Sequence, residues 1–72
     1  MNIRKAAENL VAELNQQPPG PQWHSVYIQT RVADDGTTEQ VLKVHIRPEY
    51  EHQWRSRTDH LGFKVEQEPW PD

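Results

Sequence analysis

The sequence has no cysteine among its 72 residues. Neither a disulfide framework nor a Cys-ligated zinc can brace the fold. Small secreted domains usually rely on such staples, so a reducing, cytoplasmic setting is expected. Long apolar runs are also missing. None approaches the ~20 residues that span a bilayer, and Glu8, Asn9 and Glu13 interrupt the apolar stretch that a signal peptide would need after Met1–Lys5. No membrane association is expected. A glycine-rich phosphate loop is absent, because Gly20, Gly36 and Gly62 are isolated turn glycines. Serine is scarce, and neither Ser25 nor Ser56 sits in a nucleophile-elbow context. A chain this small struggles to enclose a substrate pocket and keep a core. The sequence therefore predicts neither an enzyme nor a cofactor.

An excess of positive charge is lacking as well. The net charge is −3 and the pI about 5.7, which argues against a dedicated nucleic-acid binder. Four histidines raise the question of a metal. His45, His52 and His60 are too evenly spread for a compact ligand motif. Glu49 and His52 form one Glu-x-x-His, half of what a di-iron bundle requires. No metal is expected; the histidines read as surface residues, with His24 near a sheet end.

Only 33% of the residues are apolar and 26% are charged, close to the composition of disordered chains. The apolar residues nevertheless fall on clean periods. Ile3, Ala6, Ala7, Leu10, Val11 and Leu14 form one helical stripe. Asn2 is placed to cap it, and Pro18 and Pro19 stop it, which predicts a helix over 2–16. Val26, Ile28, Thr30 and Val32, then Leu42, Val44 and Ile46, alternate with polar residues at the strand period. The intervening Asp34-Asp35-Gly36-Thr37 is a turn signal, so residues 23–47 read as a hairpin. A two-residue turn would put the two apolar sets on opposite faces. A three-residue loop with Gly36 in a G1 bulge pairs Ala33 with Thr37, Ile28 with Leu42, Val26 with Val44 and Arg31 with Glu39, and this register is expected.

Pro48, the early Glu49 and Glu51 and the late Arg55 and Arg57 predict a short second helix over 48–58. Tyr50 and Trp54 would share one of its faces. A third strand follows over 62–68, and Pro69 and Pro71 end it in a tail, 69–72. Trp70, between two prolines, cannot join a central strand and is expected to fold back as a core cap. The expected fold is a single α+β domain over 1–72: an amphipathic helix on a three-stranded, mostly antiparallel sheet, in the order α-β-β-(short α)-β. If the last strand joins parallel to the second, the crossover should be right-handed.

With the core face assigned, the other face of the hairpin carries Trp23, Ser25, Tyr27, Gln29 and Arg31, then Val41, Lys43, His45 and Arg47. Trp, Tyr and Arg dominate binding hot spots. The expected function is a non-enzymatic module, of the kind found among small regulators and inhibitors. It would bind a larger protein, or a second copy of itself, through Trp23, Tyr27, Arg31, Lys43, His45 and Arg47. One alternative is weak single-stranded nucleic-acid binding, with bases stacked on Trp23 and Tyr27 and phosphates on Arg31, Lys43 and Arg47. Another is an acidic nucleic-acid mimic using Asp34, Asp35, Glu39, Glu66 and Glu68. Edge strands leave room for sheet extension across a dimer.

Overall fold

The computed structural model describes residues 1–71; Asp72, the end of the expected tail, lies outside the described residues. Helix α1, Ile3–Leu14, begins where Asn2 accepts a 2.9 Å hydrogen bond from the Lys5 amide through its side chain. It buries Ile3, Ala6, Leu10 and Leu14, the centre of the predicted stripe. A 3-10 turn, Gly20–Gln22, leads into strand β1, His24–Val32, which pairs antiparallel with β2, Thr38–Ile46. The pairing has the expected register throughout, including Val26 with Val44, Ile28 with Leu42 and Arg31 with Glu39. At the loop, the Ala33 amide donates to the Thr37 carbonyl at 2.8 Å, and Gly36 takes φ +86°, the left-handed conformation that the bulge requires. One carboxylate oxygen of Asp35 accepts from both the amide and the hydroxyl of Thr37, which pins the turn.

The second half of the chain departs from expectation in two places. The segment expected as a helix over 48–58 is a 3-10 turn, Pro48–Gln53, and Trp54 is already extended. Beyond Trp54 the residues Arg55, Ser56, Arg57 and Thr58 offer no apolar side chain for a further turn to bury. Tyr50 and Trp54 still pack against the core beneath α1. The second departure is an extra strand. Residues Asp59–His60 form β3, which joins β4, Phe63–Glu68, through the two-residue turn Leu61-Gly62. Both turn residues have positive φ, +53° and +88°, as a type I′ turn demands.

The sheet therefore has four strands in the order β1-β2-β4-β3, with β2 and β4 parallel and the other pairs antiparallel. Leu42, Val44 and Ile46 of β2 and Val65 of β4 meet the α1 stripe in one core. The loop before β3 is tied to the helix by polar contacts: Arg57 reaches Glu13 and His60, and the other ring nitrogen of His60 lies 2.9 Å from Asn9 Oδ1. Because Arg57 can only donate, His60 Nδ1 accepts and Nε2 carries the hydrogen that Asn9 receives.

Candidate functional site

The face of the sheet away from α1 is formed by odd-numbered residues of β1 and β2 and even-numbered residues of β4. Of the six residues expected to bind a partner, five line this face or its end. Trp23 does not. It precedes β1 in a helical backbone conformation, φ −99° and ψ −5°, so the alternation of the strand does not apply to it. Its ring turns to the helix side and is 0% exposed. There the indole N–H donates to the Leu14 carbonyl at 3.0 Å, at the end of α1, beside the Gln17 amide that donates to the same oxygen at 3.2 Å. Trp23 is a core residue and is removed from the candidate surface.

Arg31 and Lys43 lie on the outer face but are not free. Arg31 donates to Glu39 at 2.9 Å and grips both oxygens of Glu66 at 3.1 and 2.8 Å. Lys43 lies 2.6 Å from Glu66 and 3.1 Å from Glu68, and its side chain is only 10% exposed. Lys64 extends the lattice to Glu39 at 3.0 Å. The parallel docking of β4 beside β2 aligns Glu66 with Lys43 and Glu68 with His45. The electrostatics follow from this. Arg31 first, then Lys43, pulls the Glu66 carboxyl down to about 2. Lys43 likewise holds Glu68 below the ordinary range, and Lys64 with Arg31 does so for Glu39. Glu66 chiefly, then Glu68, raises the Lys43 ammonium. The cations in the middle of the face are neutralised in place.

The remaining residues gather at one end. Tyr27 stacks on His45 with ring centroids 5.5 Å apart and planes at 16°. The Tyr27 hydroxyl donates to Glu68 at 3.2 Å, and His45 Nδ1 donates to the Pro69 carbonyl at 2.9 Å. Arg47 anchors itself through a 2.6 Å bond to the Gln22 carbonyl. Its guanidinium lies over the Trp70 ring at 4.4 Å from the centroid. Trp70 thus folds back as expected, but onto Arg47 instead of the core. Beside this stack, Pro19, Pro21, Tyr50 and Trp70 line a groove of about 400 Å³. Pro19, Pro21 and Tyr50 were missed by the sequence reading because they reach this end from separate segments. The sequence carries only the two Pro-rich stretches, 18–21 and 69–71, far apart along the chain, and the fold alone brings them together.

No cluster of three or more His, Cys, Asp or Glu able to hold a metal occurs among the described residues, and no helix among them is long and apolar enough to cross a membrane. No family model matches this sequence, and comparison with curated proteins and with solved structures returns no significant match.

Proposed function

We propose that the chain is a small non-enzymatic protein-binding module of the regulator or inhibitor kind. Its contact surface is the end of the outer face formed by Tyr27, His45, Arg47 and Trp70. The observation that carries this reading is the Arg47–Trp70 stack beside a proline- and tyrosine-lined groove. It gathers hot-spot residue types around a concave site. The nucleic-acid reading has less support, because Arg31 and Lys43 are already held by Glu39, Glu66 and Glu68 and would have to release them to meet phosphate. The same pairing weakens the mimic reading, since those three carboxylates are neutralised by cations.

The test is affinity capture from lysate, with and without nuclease, beside a Tyr27→Ala/Trp70→Ala double variant. Both side chains lie outside the helix-side core, so the fold should persist by circular dichroism. A discrete protein that survives nuclease, and whose affinity drops at least tenfold in the variant, is expected, consistent with ~2 kcal/mol for hot-spot residues. Bound material that disappears with nuclease and weakens by orders of magnitude as salt rises overturns the reading in favour of nucleic acid. Empty capture overturns it as well.

A further inference from the structure

The sheet has two edges, finished in different ways. One is β3, only two residues long, too short to template another chain. The other is β1, nine residues long, which pairs with β2 alone among the described residues.

The backbone of β1 shows which groups are unsatisfied. Its pairing with β2 is fixed at both ends, by the Ala33 amide donating to the Thr37 carbonyl and the Arg47 amide donating to the Trp23 carbonyl. Hydrogen-bonded residues alternate along an antiparallel ladder. Odd-numbered residues of β1 therefore face β2. The N–H and C=O groups of His24, Val26, Ile28, Thr30 and Val32 face outward. Natural edges are usually blunted by proline, lysine or a bulge. β1 contains neither residue, and its register with β2 runs unbroken over the whole strand.

The side chains of the same outward-facing residues lie on the helix side. Val26, Ile28, Thr30 and Val32 are all β-branched, the type that favours sheet. Ile28 is 37% and Val32 72% exposed. Between β1 and α1 runs a groove of about 420 Å³ lined by Ala7, Val11, Ala12, Val26 and Ile28, with Arg4 and Glu8 at its rim.

We infer that this edge is closed by a second copy of the chain, β1 pairing antiparallel with β1 across a two-fold axis. The strand is its own complement. Full overlap pairs Ile28 with Ile28, Val26 with Thr30 and His24 with Val32 on the helix side. On the outer side it pairs Tyr27 with Gln29 and Ser25 with Arg31. No like charges stand opposite one another in this register. The two-fold also sets the two α1 helices antiparallel along the junction, so the apolar grooves face each other. Each rim contributes one cation and one carboxylate, Arg4 and Glu8, and antiparallel order presents each to its opposite. The contact is isologous and closes at two copies. This edge shares only Tyr27 with the surface proposed above, and no β1 residue lines the Arg47–Trp70 groove, so Trp70→Ala alone, which leaves the edge untouched, separates the two readings.

Sedimentation equilibrium on the purified chain tests it, over ~1–100 μM, the range in which a micromolar association is resolved. The expected mass is twice the 8.5 kDa of one chain. Thr30→Lys leaves the β2 ladder intact and places a charge against Val26 of the second copy; it should weaken the dimer at least ~100-fold with an unchanged circular dichroism spectrum. Amide exchange on the unmodified chain gives a second readout that needs no variant to fold. The Ile28 and Thr30 amides should become protected as concentration rises. A single-chain mass throughout overturns the inference. So do a dimer indifferent to Thr30→Lys, assemblies growing beyond two copies, or edge amides whose exchange ignores concentration.

Discussion

Strand β2 is buried on both faces, and the two faces are closed by different physics. Val41, Leu42, Lys43 and Val44 are consecutive and all buried. Leu42 and Val44 lie under α1 in contact with an apolar stripe, the ordinary solution for a helix on a sheet. Among the described residues no layer of secondary structure lies above Val41 and Lys43, yet Val41 is 0% exposed. The ion lattice explains this. Arg31 on β1 binds Glu66 on β4, and β2 runs between those strands. Arg31 is aligned with Glu39 and Glu66 with Lys43, so their bridge crosses β2 at Val41. Long charged side chains roof the apolar residue with their stems, as such chains do. A 72-residue chain can thus bury both faces of its central strand with one helix, at the expense of making one roof sensitive to salt and pH.

The largest effects should come from the helix side. Trp23→Ala removes the bulkiest fully buried side chain and should cost ~3–5 kcal/mol in urea denaturation, the usual range for Phe or Trp to Ala in a core. Set against the ~5 kcal/mol stability of small domains, that leaves little folded protein. Trp23→Phe isolates the indole N–H bond to Leu14 and should cost ~1 kcal/mol plus the small loss of volume. An exposed surface tryptophan would give less than ~0.5 kcal/mol for the alanine change, and that result would return Trp23 to the outer face.

On the lattice side, Glu66→Gln and Arg31→Met should each destabilise less than Trp23→Ala. Their mark is salt dependence. The gap between wild type and variant should narrow between ~0.05 and ~0.5 M salt, because half-exposed ion pairs are screened. Leu42→Ala, on β2 between those two strands but under α1, should show a gap that salt leaves unchanged. Equal salt responses on the two faces would refute the distinction between them.

The contrast between the faces also marks how far the sequence could be read. Helix α1, the β1–β2 register and the bulge at Gly36 were legible because each follows from local spacing. The apolar period of two permits only one register once a face is buried. The pairing of Arg31 with Glu39 followed from that register. The rest of the lattice required knowing that β4 would dock parallel to β2, which brings Glu66 beside Lys43 across 23 residues of chain. Nothing local encodes that distance. Trp23 was misplaced because the alternation was extended one residue beyond its start, into a backbone that is still helical. Strand β3 was hidden because its turn carries Leu61 where the usual signal would be Asn or Asp.

Acidification should distinguish the faces by pH window. On the helix side, His24 is buried beside Trp23, its Nε2 is 2.7 Å from Asn15 Oδ1, and its Nδ1 has no partner among the described residues. Burial lowers its pKa from the usual 6.5. The unfolded chain then binds the proton first, so stability should begin to fall as pH drops below 6.5 and level off below the lowered value. On the outer face, Glu66 titrates near 2 against an ordinary 4.5, so its contribution is complete above 4.5 and lost between there and 2. The urea midpoint plotted against pH should show both descents. His24→Gln should remove the upper one alone, and Glu66→Gln should shrink the lower one alone.

The smallest effect should be a gain, and it lies on neither face. Leu61 holds φ +53° in the turn between β3 and β4 and remains 48% exposed. A left-handed backbone costs a side chain with a Cβ ~1–2 kcal/mol relative to glycine, and the half-exposed leucine offsets only part of that by packing. Leu61→Asn should stabilise by a few tenths of a kcal/mol and Leu61→Gly by up to ~1 kcal/mol, less the added freedom of glycine in the unfolded chain. The gain should be independent of salt and pH, because no lattice residue is touched. A loss on both substitutions would show that the Leu61 side chain contributes more to packing than its exposure indicates.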